Sequence, residues 1–118
     1  QWNTRQQELL GHLAQWQQDW ESLDSDAYLR HYSANFTSGS KNIQQWKAHK
    51  HRVNKYKSFI KVETEAVSIF EYGGERDVLQ VNFIQQYSSD NLSGRSQKSQ
   101  LWQDTEQGWK IIYEGDAI

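Results

Sequence analysis

The sequence contains no cysteine, which excludes a disulfide framework, a thiolate nucleophile and a cysteine metal site. This absence is compatible with any cellular compartment and identifies none. The sequence also lacks methionine and starts at Gln1, so we expect a processed chain or a domain excised from a longer protein. No apolar run approaches the roughly 20 residues that a membrane-spanning helix needs.

Positive charge is scarce outside one segment. Of the thirteen Lys and Arg, five lie in the stretch KAHKHRVNKYK at 47–57, which contains no acid. The rest of the chain therefore has eight basic side chains against fifteen Asp and Glu, and the net charge is −2. Proteins that neutralise nucleic-acid phosphates carry a basic balance over a whole domain or a broad face. We therefore do not expect nucleic-acid binding.

Aromatic side chains are abundant although the chain as a whole is polar. Six Trp, six Tyr and four Phe occur among 118 residues, while the mean hydropathy is −0.98. Because each aromatic side chain buries a large apolar area, they can form a core for one domain of this length. We expect a single folded domain over 1–118 with an aromatic-rich core.

The first half of the chain has the periodicity of helices. A first helix is predicted over 2–23, a second over 25–32 with Ser25 as its cap, and a third that begins after Ser40; the segment 33–40 between them has loop composition. The residues predicted to face inward are Leu9, Leu13, Trp16 and Trp20 in the first helix, Tyr28, Leu29 and Tyr32 in the second, and Ile43, Trp46, Val53 and Tyr56 in the third. In the third helix Lys47, His51 and Lys55 are expected to point away.

After Lys57 the periodicity changes to two, which predicts strands. The predicted strands are 60–72, 77–88, 95–103 and 109–114, with a tight hairpin at Gly73-Gly74. Helices followed by an antiparallel meander indicate an α+β fold, with the helices packed on one face of a curved sheet.

The second of these strands, 77–88 with its following residues, has a face that combines apolar and polar side chains. Alternation places Val81, Phe83, Gln85, Tyr87 and Ser89 on one side. This face either runs from core to solvent or forms the wall of a ligand pocket, since such pockets combine apolar groups with a few polar ones.

Two charged residues of the last strands have two interpretations. Lys98 and Glu114 can form a cross-strand ion pair on the sheet surface, which is the default. If they point inward with Arg52 and Tyr87, they instead form a polar pit floor where shifted pKa values are expected.

No sequence motif indicates a metal, a cofactor or an established catalytic centre. His49 and His51 are two residues apart and therefore lie on different sides of a helix, and there is no HExxH, no GxSxG and no glycine-rich phosphate loop. Asp90 falls in a turn, where solvent keeps a carboxylate ionised.

An ordered set of features does resemble a known superfamily. The features are Trp16 and Trp20 as WxxxW, DAYLxxYSxxF at 26–36, Trp46 with Arg52, FxQxYxSD at 83–90, and Gly108-Trp109-Lys110-Ile111 with Glu114. Together they resemble the nuclear transport factor 2-like superfamily and, more narrowly, the accessory domain C-terminal to the catalytic domain in some bacterial L,D-transpeptidase-family envelope proteins.

This resemblance implies a cone-shaped, cystatin-like fold whose curved sheet encloses a pit. It carries Trp46, Arg52, Gln85 and Tyr87 over as candidate ligand-binding residues; Tyr32, Lys98 and Glu114 are added from periodicity. It also implies a periplasmic or cell-envelope location and a homodimer through the open sheet face. We expect Arg52 to look inward, because its guanidinium can bind both oxygens of a carboxylate.

Two functions follow as hypotheses. The first is a non-catalytic module that binds a peptidoglycan fragment, a small carboxylate or a partner domain through its pit or its basic third helix. The alternative is an isomerase, dehydratase or cyclase with Tyr87 or Tyr32 as acid and Glu114 or Asp90 as base. The family's transpeptidase reaction uses a cysteine of another domain, and this chain has none.

Overall fold

The computed structural model describes residues 2–116, apart from the side chain of Arg76. The elements in chain order are α1 (Trp2–Glu21), α2 (Ser25–Leu29), β1 (Tyr32–Ser38), β2 (Lys41–Asn42), α3 (Ile43–Asn54), β3 (Ile60–Tyr72), β4 (Glu75–Ser89), β5 (Ser93–Thr105) and β6 (Gly108–Asp116). The strands form one sheet in the order β2-β1-β6-β5-β4-β3. Neighbouring strands are antiparallel except β1 and β6, which are parallel. The predicted α+β class is confirmed.

The first helix buries the stripe that its sequence predicts. Leu9, Leu13, Trp16 and Trp20 are its buried residues, and their spacing of three or four places them on one face. The chain leaves the helix at Leu23, whose φ of +68° is incompatible with a further helical turn. Trp16 and Trp20 pack together with ring centroids 5.3 Å apart, and this pair begins the aromatic core.

The prediction for 25–40 is partly wrong. Asp24, not Ser25, caps α2 by accepting a hydrogen bond from the Ala27 amide, and the helix ends at Leu29. Tyr32 is buried as predicted but begins β1, which occupies most of the predicted loop. This strand exists because β6 pairs with it over a long sequence separation, and such non-local pairing leaves no local alternation to detect.

The third helix starts two residues later than predicted. Asn42, not Ser40, is the cap: its side chain accepts from the Gln45 amide while the Gln45 side chain accepts from the Asn42 amide. The inward stripe is also different, because Val53 is exposed and Tyr56 lies beyond the helix with 85% of its surface exposed. The buried positions include Trp46 and Asn54, with the half-buried Lys50 between them.

The long hairpin of β3 and β4 is confirmed. Gly73 and Gly74 have φ values of +56° and +77°, the conformation that a tight hairpin turn requires. The β3–β4 register shifts between Glu65 and Ser68, and Ala66 in this bulge has a φ of +51°. A bulge bends its strand and increases the local twist, so the sheet curves around the helices.

Candidate functional site

A cleft of about 440 Å³ opens between α3 and the strands β4 and β5. Trp20 of α1, Lys50 and Asn54 of α3, and Gln85 and Tyr87 of β4 form its inner part. The alternation of β4 turns Gln85 and Tyr87 to the same side as the buried Val81 and Phe83. The site is therefore the place where the core-facing side of the sheet reaches solvent.

Lys50 carries the principal charge of this cleft. Its Nζ lies 4.7 Å from the ring centroid of Trp46, 5.0 Å from that of Trp20 and 6.0 Å from that of Tyr28. Burial lowers the pKa of the Lys50 amine, and the nearby Glu114 charge opposes this only in part. Within residues 2–116 no Asp or Glu forms an ion pair with Lys50. Aromatic faces thus replace a counter-ion.

The remaining charges of the cleft have the same sign. Lys57 and Arg95 lie at its mouth, and the described lining contains no acidic residue. The Lys57 ammonium donates to Ser89 Oγ at 2.9 Å and to Asn91 Oδ1 at 3.0 Å, so it is held near the mouth. We will call this space, lined by Trp20, Lys50, Asn54, Gln85 and Tyr87 with Lys57 and Arg95 at its mouth, the Lys50 cleft.

Several buried polar atoms near the cleft have no hydrogen-bond partner in the part of the chain that the structure describes. Trp20 Nε1, Trp46 Nε1 and Gln85 Oε1 are buried without a hydrogen bond to any described residue. Buried polar atoms are ordinarily paired, and each exception costs about 1–3 kcal/mol. Three such atoms in side chains at or next to one cleft show that the hydrogen-bonding groups of this region are not all satisfied by residues 2–116.

A buried hydrogen-bond network lies deeper than the cleft. The Tyr32 hydroxyl donates to Glu114 Oε1 at 2.7 Å and accepts from Trp16 Nε1 at 3.0 Å. Gln100 Nε2 also donates to Glu114 Oε1, at 2.8 Å, and Glu114 is only 5% exposed. The Tyr28 hydroxyl lies 3.0 Å from that of Tyr32 and donates to it, since the Tyr32 O–H already donates its hydrogen bond to Glu114.

This environment keeps the two tyrosines neutral. Burial, reinforced by the nearby Glu114 charge, raises the pKa of Tyr28 and of Tyr32 well above the ordinary value. Both hydroxyls therefore act as hydrogen-bond donors throughout the physiological range. The network fixes the position of Glu114 beneath the helices.

The structure separates the predicted site residues into two groups. Gln85 and Tyr87 line the Lys50 cleft, and the Trp46 ring contacts the Lys50 ammonium. Tyr32 and Glu114 meet in the buried network instead. Gln85 and Tyr87 therefore lie where the core reaches solvent, and Tyr32 lies in the core. Glu114 also borders a second groove, of about 580 Å³, which Trp46 and Lys98 line with it.

The expectation that Arg52 looks inward is wrong. Arg52 is exposed, and its Nη2 lies 3.3 Å from Nδ1 of His49. It lines a separate surface groove between α2 and α3 together with Asp24 and Asp26. The physical reason is helical spacing: Arg52 is two residues beyond Lys50, about 200° around the helix, so only one of them can face the cleft.

The expected pairing of Lys98 with Glu114 is also wrong. Lys98 lies opposite Asp116 in the β5–β6 register and forms an ion pair with it at 3.5 Å, whereas Glu114 lies opposite Gln100. Asp90, the other candidate base, is exposed and accepts hydrogen bonds from Ser58. These bonds lower its pKa, so it remains ionised in a turn and has no access to the cleft.

Sequence reasoning missed Lys50 as the central cation. The available signal is its position four residues after Trp46 and four before Asn54, which places all three on one face of α3. An argument from apolar residues alone passes over this stripe because two of its members are polar.

The cleft offers cationic and amide groups rather than metal ligands. Residues 2–116 contain no cluster of three His, Asp or Glu that could hold a metal ion. In the same part of the chain no helix is both long and apolar enough to cross a membrane. The arrangement is suited to binding an anion in a partly desolvated place, where a charge-assisted hydrogen bond is strong.

Solved structures share this fold. Bd1075 of Bdellovibrio bacteriovorus is 28% identical, with a TM-score of 0.85, over 97% of this chain and 41% of that protein. The helical cell shape determining protein Pgp2 of Campylobacter jejuni is 22% identical, with a TM-score of 0.82, over 91% of this chain and 39% of its own. The present chain thus spans about two-fifths of each of these proteins.

A more distant structure extends the likeness. A Nostoc punctiforme protein of unknown function with a cystatin-like fold is 10% identical, with a TM-score of 0.69, over 92% of this chain and 86% of that one. Comparison with curated protein sequences gives no significant match. The family model described as the Cds6 C-terminal NTF2-like domain matches residues 8–115. The predicted superfamily is confirmed, and the chain belongs to the Cds6 C-terminal NTF2-like domain family.

Proposed function

We propose that this domain is a non-catalytic binding module of a bacterial cell-envelope protein and that it binds carboxylates in the Lys50 cleft. The observation that carries the proposal is the Lys50 ammonium, which is surrounded by aromatic rings, has no ion-pair partner among residues 2–116 and borders a cleft lined by no described acid. A bound carboxylate supplies the counter-charge.

The envelope assignment rests on likeness. Pgp2 is named as a determinant of helical cell shape, and the sequence motifs resemble an accessory domain of L,D-transpeptidase-family envelope proteins. The peptide stems of peptidoglycan carry carboxylates, so a fragment of the wall satisfies both parts of the proposal. The proposal also includes a periplasmic location and a partner domain in the same longer chain.

Lys50→Met tests the binding claim with little change in side-chain volume. Because a hydrogen bond between charged groups contributes about 1.5–3 kcal/mol, we expect affinity for a carboxylate to fall about 10- to 100-fold. Arg52→Met is the matched control, since it removes a positive charge from the same helix but outside the cleft.

The probes are N-acetylalanine and its methylamide, which has the same shape without the carboxylate. NMR titrations of the wild type should show binding of the first and not of the second, and of the two variants only Lys50→Met should weaken that binding. Co-sedimentation with purified peptidoglycan sacculi should rank the three proteins in the same way. Equal binding by Lys50→Met and wild type contradicts the proposal.

An enzymatic function of the isomerase or dehydratase type remains a second candidate, because Glu114 is a buried carboxylate in contact with a tyrosine. Its Oε2 accepts no hydrogen bond from residues 2–116, so this oxygen is the one available as a base. The Tyr32 hydroxyl already donates its hydrogen bond to Glu114, however, which favours a structural role. An isomerase or dehydratase activity that Glu114→Gln abolishes without unfolding the domain would establish the enzyme instead.

The homodimer through the open sheet face stays a prediction. Sedimentation velocity over a range of protein concentrations measures it directly. A single monomeric species at all concentrations would refute it.

A further inference from the structure

The inner part of the Lys50 cleft contains two side-chain amides that form no hydrogen bond with the described residues. Asn54 lies one turn after Lys50 and is 9% exposed, and Gln85 on β4 is 8% exposed. No hydrogen bond joins either side-chain amide to any residue of 2–116, and Gln85 Oε1 is fully buried. Amides with this degree of burial are ordinarily hydrogen-bonded, so their free capacity points to a ligand.

The cleft contains more hydrogen-bond donors than acceptors. Lys50, Lys57 and Arg95 can only donate hydrogen bonds. A simple carboxylate uses such donors and leaves the Gln85 oxygen unpaired. Since the terminal torsion of a glutamine side chain is broad, the amide of Gln85 can turn its oxygen toward a ligand. A ligand that satisfies the whole cleft therefore carries an N–H close to its carboxylate.

The charge of the lining also indicates which kind of N–H group the cleft can bind. A free α-amino group is positively charged, and no described acidic residue in the cleft lining could balance it beside Lys50 and Lys57. Glu65, which lies outside the lining, is already paired with Arg95. An acylated nitrogen keeps the N–H and loses the charge. Val53 and Leu92 at the mouth are 39% and 61% exposed and provide an apolar surface for an adjoining side chain.

We propose that the ligand class of the Lys50 cleft is an N-acylated amino acid, which is the C-terminal end of a peptide. Its carboxylate pairs with Lys50, and its amide N–H donates to Gln85 Oε1. This inference rests on the proposed carboxylate binding and adds a second, neutral recognition element to it.

An amide-to-ester exchange in the probe tests this element. N-Acetylalanine and O-acetyl-lactate have nearly the same shape, but only the first has an N–H. We expect the wild type to bind N-acetylalanine about 5- to 10-fold more tightly, the fold-change of one hydrogen bond. Free alanine should bind more weakly than either. In Gln85→Leu the preference for the amide should fall below about twofold.

Gln86→Leu is the matched control, because Gln86 is the next residue of β4, is exposed and should leave the preference unchanged. Gln85→Met serves as a second variant if Gln85→Leu does not fold. Equal affinities for amide and ester in the wild type, with both abolished by Lys50→Met, overturn this inference and leave carboxylate binding intact. Tighter binding of free alanine also overturns it. Binding of both probes that does not depend on Lys50 refutes the proposed function itself.

Discussion

Removal of one buried hydroxyl should destabilise the domain far more than its size suggests. In Tyr32→Phe the ring that packs edge-on against Phe36 at 5.0 Å is kept, so no cavity of consequence forms. The hydroxyl that joins Trp16, Tyr28 and Glu114 is lost. The experiment thus isolates the hydrogen bonds from the packing.

The magnitude follows from the three contacts. A hydrogen bond to a carboxylate contributes about 1.5–3 kcal/mol and a neutral one about 1 kcal/mol. The loss also leaves the buried Trp16 Nε1 without its acceptor. We expect the free energy of unfolding to fall by about 3–5 kcal/mol, which is a large part of the stability of a typical domain.

Urea denaturation at neutral pH measures this change, with an unchanged slope as the check that only stability has altered. Tyr56→Phe is the control, because the Tyr56 side chain is 85% exposed and its hydroxyl makes no hydrogen bond to residues 2–116. It should change the free energy by less than about 0.5 kcal/mol. A loss below about 1 kcal/mol in Tyr32→Phe would show that the hydrogen-bond network around Tyr32 contributes little to stability.

Three further predictions concern capping, the site lysine and alkaline pH. Asn42→Ala should cost about 1 kcal/mol because it removes the cap of α3, whereas Ser40→Ala should cost almost nothing; equal losses in urea denaturation contradict the assigned cap. Lys50→Met should not lower the free energy of unfolding at pH 7, because burial already disfavours the charged amine; a loss above about 1 kcal/mol contradicts this. Because the pKa values of Tyr28 and Tyr32 are raised in the folded domain, the unfolded chain loses these two protons at a lower pH than the folded one. The free energy of unfolding should therefore be constant below about pH 10 and fall above it. Tyr32→Phe should weaken that decline, and an unchanged decline would contradict the assignment.

Local patterns in the sequence predict much of this fold. The stripe from Leu9 to Trp20, the alternation of β4 and the Gly73-Gly74 turn each depend on neighbouring residues, and the structure contains all three. β1 could not be predicted, because its pairing with β6 joins residues more than 70 positions apart. A strand of that kind is specified by its partner and not by its own alternation.

The arrangement of the candidate site was predicted less well, for a related reason. Gln85 and Tyr87 follow from strand alternation, which continues from the core into the cleft. The choice of Arg52 over Lys50 depended on the chemistry of the guanidinium, whereas the helix phase set by Trp46 decides which of the two faces inward. The buried position of Glu114 depends on Tyr32 and Gln100, which meet it only in the folded sheet.

Carboxylate binding at Lys50 should change the pKa of the Lys50 amine, which NMR measures from the Cε shift with and without N-acetylalanine. Bound carboxylate should raise this lowered pKa toward its ordinary value, because the anion stabilises the charged amine. The methylamide should leave the pKa unchanged. If N-acetylalanine binds while the Lys50 pKa stays constant and the Arg52 resonances shift, the anion site lies elsewhere on α3 and carboxylate binding in the Lys50 cleft is refuted.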